Sequence, residues 1–407
     1  MSALSRPIVL AAGGTGGHVF PAKALAELLA ARGHRVALVT DTRGSAFDDA
    51  AKSAGGGIEV HKIRAGGIAG RGLTAKLKGA VKLLLGWRDA RRLLSRLNPA
   101  AVVGFGGYAS VPTVLGAGGR GVPVILHEQN AVIGRANRML ARQATAIATC
   151  FETVEKIPAA DRRKVALVGN PVRAALTAVR EAGPAPLSED GAREILVTGG
   201  SQGASAFADL VPGAVALLPE SLRARLRIAQ QARPDEVDGV AAAYKDMTVD
   251  ADVRRFFDDM PERLRAAHLL ICRSGASTVA ENTVAGRPAL LIPYPSAIDD
   301  HQTANARAIE DAGGAVVLPQ HSLTPQSLAE LLADLLDDTD RLTAMTEAAR
   351  AYGRPNAVED LAALVLSTAG IEPVGISEDS TNQGSTNQSG ASQGAATQAP
   401  ATRSAAA

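Results

Sequence analysis

Hydrophobic residues along this chain fall mostly in short, unbroken apolar runs rather than in strict alternation with polar ones. In the first half these runs are "RPIVLAA", "HRVALVT", "PAAVVGFGG" and "VPVILHEQN". In the second half they are "REILVTGG", "LRIAQQ", "HLLICRSG", "PALLIPY" and "AVVLP". Runs of this kind mark strands buried on both faces. Between them stand stretches of helical period, such as "PAKALAELLAAR", with Pro21 at its start and Gly33 at its end. "ASAFADLVPGAVALL" and "ASTVAENTVAG" are two more. Strands alternating with helices predict parallel sheets joined by right-handed crossovers. The pattern halts around "KVALVGNPVR" and then restarts, so the reading is an α/β chain of two Rossmann-like halves, hinged near Asn170–Arg173. The expected divisions are 1–170, 171–350, a terminal helix at 351–372 and a tail at 373–407. The tail, rich in Ser, Gln, Ala, Gly and Thr, has too few large apolar residues to build a core and is expected to be disordered.

Composition adjusts this picture in three ways. With 46% hydrophobic but only 3% aromatic residues, the cores must be built from Ala, Val, Leu and Ile. Cys150 and Cys272 stand far apart without a CxxC partner, which argues against a zinc framework or disulfide scaffold and fits a reducing cytoplasm. The opening "MSALSRPIVLAAGG" is too short in its apolar part for a secretion signal, and no apolar run reaches the roughly 18 residues expected of a membrane span.

Charge is unevenly placed. Residues 1–170 hold 24 Lys+Arg against 10 Asp+Glu, and the remainder holds 19 against 31. The first half is therefore suited to an anionic partner: a lipid headgroup, a nucleic acid or a phosphorylated substrate. Within 62–96 the basic residues are Lys62, Arg64, Arg71, Lys76, Lys78, Lys82, Arg88, Arg91, Arg92 and Arg96, against the single acid Asp89. Leu73, Leu77, Val81 and Leu84/Leu85 recur at helical spacing and Trp87 follows. Either this amphipathic helix lies on an anionic membrane, or its apolar face packs on the sheet and its charges are solvated. Nucleic acid fits less well, because aromatic residues for base stacking are scarce.

The candidate chemistry centres on two glycine loops, "GGTGGH" after the first strand and "GGSQGA" in the second half. The first fails the dinucleotide fingerprint, because Val19 stands where a third glycine is required. It also lacks the Gly-Lys-Ser/Thr of a Walker loop. Its glycines still allow close backbone approach, and a helix starting near Phe20 would offer unpaired N–H groups to an anion. One such loop is explained equally well by a tight turn. Two, one per half, favour a ligand role. His18 is a candidate base, against the alternative of a capping or packing histidine.

"HEQNAVIGRANR" begins at a strand's C-terminal end, where α/β proteins place ligand groups. Glu128 and Asn130 are candidates for sugar hydroxyls there, and Glu128 is a second candidate base. The alternative is that His127 and Glu128 are strand-end hydrogen bonders. In "CRSGASTVAEN", Ser274 and Gly275 sit at the turn, and Glu281 is either a ribose ligand or an exposed surface carboxylate. The acidic pairs Asp250/Asp252 and Asp338/Asp340 read as surface or helix segments, so no metal is expected. Asp299, Asp300, His301 and Gln302 suit a polar loop lining a sugar pocket as well as a metal site.

"GGTGGHVFPA", "GFGGYAS", "HEQNAVIGRANR", "VGNPVR", "VTGGSQGA", "CRSGASTVAE" and "DDHQTANA" occur in an order and spacing that resembles the MurG family of bacterial cell-wall N-acetylglucosamine transferases, over roughly residues 7–365. The resemblance implies the GT-B architecture, two Rossmann-like domains facing a central cleft. The first domain would take a lipid-linked acceptor and touch the membrane. The second would hold UDP-N-acetylglucosamine, and the terminal helix would pack back on the first. By motif, Thr15, Gly16 and Gly17 would contact the diphosphate or sugar, and Asn130 the N-acetylglucosamine. Arg173, Ser201 and Gln202 would lie near the phosphates, and Phe257 would offer its backbone to uracil. Ala276, Ser277 and Thr278 would line the nucleotide, Glu281 would hold the ribose and Gln302 the sugar.

The activity implied is inverting transfer to the 4-hydroxyl of N-acetylmuramic acid in lipid I, giving lipid II without metal or other cofactor. His18 is the first choice of base and Glu128 the rival. The place implied is the cytoplasmic face of the membrane, held through 62–96, with other cell-wall and division proteins as partners. The residues alone leave open another glycolipid glycosyltransferase, a UDP-N-acetylglucosamine 2-epimerase and a membrane scaffold. A nicotinamide oxidoreductase is disfavoured by the missing fingerprint.

Overall fold

The computed structural model describes residues 6–13, 16–41, 58–65, 73–200 and 205–372. The first lobe runs β1 (Ile8–Ala11), α1 (Gly16–Ala31), β2 (Val36–Thr40), β3 (Ile58–Lys62), α2 (Leu73–Leu97), β4 (Ala101–Gly104), α3 (Gly107–Ala117), β5 (Val124–Glu128), α4 (Arg135–Leu140), β6 (Ala146–Thr149) and β7 (Val165–Leu167). Its strands lie in the order β3-β2-β1-β4-β5-β6-β7, every neighbouring pair parallel. β1, β2, β4 and β5 are buried along their whole length, which is why they read as apolar runs; β6 is buried as fully but is not among the runs read as strands.

The second lobe begins with α5 (Ala174–Ala182) and β8 (Arg193–Thr198). It continues through α6 (Ala206–Ala216), β9 (Leu226–Gln231), α7 (Val237–Asp246), β10 (Asp250–Arg254), α8 (Met260–Ala266) and β11 (Leu269–Cys272). Then come α9 (Ala276–Ala285), β12 (Ala289–Leu291), α10 (His301–Asp311), β13 (Ala315–Val317), α11 (Pro325–Asp337) and α12 (Thr339–Tyr352). The sheet order is β10-β9-β8-β11-β12-β13, again parallel throughout. In each sheet the chain reverses direction of growth between the first strand and the fourth, β1/β4 and β8/β11. That is where open α/β sheets form a crevice at the strands' carboxyl ends.

The chain crosses from one lobe to the other twice. The first crossing follows β7, where Gly169 has φ +88. A Cβ there would lie 2.9 Å from that of Arg354 and 3.0 Å from that of Ala357, so the outgoing and returning segments press together and only glycine fits. The second crossing leads into α13 (Ala357–Thr368), whose Leu361, Ala362, Val365 and Leu366 are buried with Leu25 and Leu29 of α1 and Ile8, Leu10 and Ile125 of the first sheet. A separate cluster joins the lobes through Ala131, Cys150 and Phe151 on one side and Val279 and Val284 on the other.

Two features differ from the sequence reading. Helix α1 starts at Gly16 rather than near Phe20, and Pro21 lies inside it. Pro21 forfeits one helical bond, to the Gly17 carbonyl. Burial of Val19, Ala22, Leu25, Ala26 and Leu29 outweighs that loss. Asp250 and Asp252 lie at the surface, as read, but on the edge strand β10 rather than on a helix, and Asp252 bonds Arg254 (2.8 Å) and Arg263 (2.5 Å).

Candidate active site

The carboxyl end of β1 delivers the chain into the first turn of α1, and the adjacent β4–α3 loop closes against it. Gly107 has φ +75, and a Cβ on it would fall 1.9 Å from the Gly13 carbonyl oxygen. At Gly106 a Cβ would lie 2.9 Å from Cε1 of His18. The glycines of "GFGG" therefore form the floor on which the His18 ring rests. Gly16 and Gly17 open α1, where N–H groups lack helical partners. Thr15, Ser201 and Gln202 lie outside the described residues.

His18 Nδ1 stands 3.1 Å from Oε1 of Gln129. Desolvation lowers its pKa from the ordinary 6.5, opposed chiefly by the Glu128 carboxylate. Glu128 itself is 2% exposed and heavily engaged. Its Oε1 accepts the Asn130 N–H (3.1 Å), and its Oε2 accepts the Gly134 N–H (2.9 Å) and Asn137 Nδ2–H (2.9 Å). Its carboxylate thus organises the β5–α4 loop and holds Asn130 and the start of α4 in place.

Asn130 sits where the lobes meet. Asn305 of α10 accepts the Ala131 N–H (2.8 Å) and donates to Asn130 Oδ1 (3.1 Å). Nearby, Arg135 pairs with Asp299 at 3.1 Å. The carboxyl end of β5 therefore faces the segment after β12 directly. Asp299 and Asp300 both have left-handed backbones, and His301 and Gln302 begin α10. Gln302 Oε1 accepts the Tyr294 N–H at 2.9 Å.

In the second lobe Arg173 donates to Glu281 at 3.1 Å. Burial raises the Glu281 carboxyl above its usual range while Arg173 opposes the shift, so Glu281 is no ordinary surface carboxylate. Ala276, Ser277 and Thr278 form the first turn of α9, preceded by Gly275 with no side-chain cap. The N–H groups there are open to a ligand. Ser274 is buried and donates to the Gln302 carbonyl (2.8 Å), tying the two loops together. The Phe257 ring is in the core beneath Arg263, 4.0 Å away, which leaves only its backbone for contact with a ligand.

Among the described residues no group of three or more His, Cys, Asp or Glu is gathered to hold a metal. Asp338 instead caps α12 by accepting the Arg341 N–H at 2.8 Å. Sequence reasoning did not single out Gln129 or Asn305, and it treated His127 only as a strand-end hydrogen bonder. The missed signal was the period of two at the end of β5, carried one residue past the strand. It sets His127 and Gln129 on one side and Glu128 on the other.

Two parallel Rossmann-like sheets whose carboxyl ends meet, with helix N-termini open there, are the GT-B architecture of glycosyltransferases. Residues 8–149 match the glycosyltransferase family 28 N-terminal domain and residues 194–362 the family 28 C-terminal domain. The chain belongs to glycosyltransferase family 28 and is a hexosyltransferase. It is 54% identical over 366 residues to the UDP-N-acetylglucosamine–N-acetylmuramyl-(pentapeptide) pyrophosphoryl-undecaprenol N-acetylglucosamine transferase of Rhodospirillum centenum, covering 90% of this chain and 95% of that one. The same-named protein of Paramagnetospirillum magneticum is 52% identical, over 90% of this chain and 98% of its own. The crystal structure of Acinetobacter baumannii MurG superposes with a TM-score of 0.74 at 34% identity, covering 89% and 99% of the two chains.

Proposed function

We propose that this enzyme transfers N-acetylglucosamine from UDP-N-acetylglucosamine to the 4-hydroxyl of N-acetylmuramic acid in lipid I, with inversion, producing lipid II for the bacterial cell wall. The observation that carries this reading is the near-full-length similarity to transferases named for that reaction. The acceptor oxygen attacks the anomeric carbon in line as the bond to the diphosphate breaks. His18 takes the hydroxyl proton, a role worth roughly 10²–10⁴ in rate. Negative charge grows on the departing UDP. Arg173, the open N-terminus of α9 and the second glycine loop with Ser201 and Gln202 oppose it, each helix end contributing about 0.3–2 kcal/mol.

The remaining residues bind and orient. Glu281, paired with Arg173 in this structure, turns to the ribose hydroxyls. The Phe257 backbone meets uracil, and Ala276, Ser277 and Thr278 flank the nucleotide. Asn130 and Gln302 hold the N-acetylglucosamine. Thr15, Gly16 and Gly17 approach the diphosphate or sugar closely. Glu128 shapes the loop that carries Asn130; with its oxygens occupied by three donors it is the weaker candidate for base.

The enzyme works at the cytoplasmic face of the membrane, held through the basic segment 62–96, alongside cell-wall and division proteins. Among the described residues no helix is long and apolar enough to cross a membrane.

The deciding assay supplies labelled UDP-N-acetylglucosamine and lipid I. The expected product is lipid II with a β-1,4 bond. Transfer to diacylglycerol instead, or epimerisation of the sugar nucleotide without transfer, would overturn the reading.

A further inference from the structure

The polar groups behind His18 form a chain whose donors and acceptors can be assigned one after another. The Gln129 amide touches the Phe105 carbonyl at 3.0 Å. A backbone carbonyl only accepts, so the atom facing it must be the NH₂ group, which fixes the orientation of the amide. The same nitrogen lies 2.8 Å from Nδ1 of His127, so that ring nitrogen must be the acceptor. His127 is fully buried, and burial lowers its pKa to about 4, which leaves it neutral near pH 7 with its one proton on Nε2. That Nε2–H donates to the Gly169 carbonyl at 3.2 Å, with the Cys150 sulfur at 3.4 Å on its flank. Gly169 is itself fixed by its N–H bond to the Thr149 carbonyl at 3.1 Å and by Arg354 and Ala357 packed against its α-carbon.

With its NH₂ committed to Phe105 and His127, Gln129 presents only Oε1 to His18, 3.1 Å from Nδ1, and the Phe105 carbonyl is a second acceptor bearing on that ring. Nδ1 of His18 must therefore carry the proton. We propose that His127 and Gln129 are positioning residues that hold His18 in the Nδ1–H tautomer, leaving the Nε2 lone pair as the proton acceptor for the incoming hydroxyl. This deepens the reading of His18 as base and rests on it for its catalytic consequence, though the tautomer itself does not depend on the substrate. A histidine with Nδ1 as its lone pair would turn that nitrogen against the Gln129 oxygen, two acceptors facing each other. The arrangement performs the service a carboxylate renders in a Ser-His-Asp triad without adding a charge behind the ring. The charged and titratable groups that bear on His18 are Glu128, His127 and His301.

Nitrogen NMR of the full-length protein with isotope-labelled histidine reads the tautomer directly, the His18 signals being identified by their loss in His18→Ala. At about pH 8, above the ordinary 6.5 of histidine, His18 is expected as Nδ1–H and His127 as Nε2–H. His18 found as Nε2–H, or as an exchanging mixture, would overturn the proposal, and this measurement needs no variant at the relay. Gln129→Met keeps the volume and removes the acceptor. It should release His18 to a tautomer mixture and lower kcat by about 10²-fold, with KM for UDP-N-acetylglucosamine within about twofold of the parent. Unchanged kcat in Gln129→Met, with its fold intact by circular dichroism, would also overturn it. If the tautomers are as stated but no lipid II forms, the substrate assignment fails and the relay stands. If lipid II forms while His18 is Nε2–H, the relay fails and the assignment stands.

Discussion

Glu128 accepts three close hydrogen bonds at two oxygens, so replacing it removes structure before it removes chemistry. In Glu128→Gln the amide nitrogen meets donors where an oxygen had accepted them, and a loss of about 1–3 kcal/mol of stability is expected. His18→Ala breaks one hydrogen bond and should cost about 0.5–1.5 kcal/mol of stability, less than Glu128→Gln, but about 10²–10⁴ in kcat. Paired denaturation and turnover measurements separate the two residues. A Glu128→Gln enzyme with parental stability and the activity of His18→Ala would move the base role to Glu128. The sequence makes both residues candidates, since each follows an apolar strand run in a polar motif. It does not order them, because a carboxylate surrounded by donors and one facing open space look identical in one dimension. Gln129 was missed for the same reason: its importance lies in contacts with residue 18, 111 positions earlier, and with Phe105 and His127.

At the scale of elements, the central strands were legible because both faces are buried and their sequences contain little else than apolar residues. Strands β3, "IEVHK", and β10, "DADVR", were not. Both are edge strands, half open to solvent, and the charges that keep such edges from pairing with other chains also erase the hydrophobic signal. Strand β6, "AIAT", is buried but has a single large apolar residue to mark it, and β7 is half-buried. The start of α1 was misplaced because proline usually marks a first turn, whereas here it sits a turn and a half inside. The β4–α3 loop yields a sharp prediction. Gly107→Ala forces a side chain into a backbone with φ +75 and against the Gly13 carbonyl. The strain alone is worth about 1–3 kcal/mol. Turnover should collapse as the His18 floor shifts, while UDP binding by the second lobe, measured calorimetrically, is retained. Parental activity in this variant would show that the two loops need not touch.

For the molecule as a whole, part of the excess of positive charge in the first half acquires a location in helix α2. Its C-terminal half buries Ala90, Leu93 and Leu94 on the sheet, and Trp87 is partly buried, donating to the Leu115 carbonyl at 3.3 Å. Further back along the helix, Val81 and Leu84 are about half exposed, at 49% and 55%, beside exposed Lys82 and Arg88. Packing on the sheet thus accounts for the C-terminal turns of this helix, and the exposed turns around Val81 and Leu84 are where the proposed membrane contact would lie. Val81→Glu combined with Leu84→Glu should sharply reduce co-sedimentation with phosphatidylglycerol vesicles, since the apolar anchor goes and two charges oppose the surface, each basic residue there contributing about 1 kcal/mol. Transfer to a water-soluble acceptor analogue should be unaffected. Undiminished vesicle binding would remove α2 from the membrane contact. The two-lobe plan was readable from the restart of the strand–helix pattern after "VGNPVR", whereas the pairing of Arg135 with Asp299 and of Asn130 with Asn305 depends on folding both halves together.

Helix α13 has a consequence for how the enzyme is made. The second lobe is one uninterrupted stretch of chain and has all its parts once α12 has left the ribosome. The first lobe is synthesised earlier yet finishes later, because the hydrophobic face shared by α1 and its sheet waits for Leu361, Ala362, Val365 and Leu366. During most of translation that face stays open to water or to a chaperone. The half that carries the proposed base thus closes its core only after the half that would carry the nucleotide has been made, so an early-terminated chain has no completed first lobe.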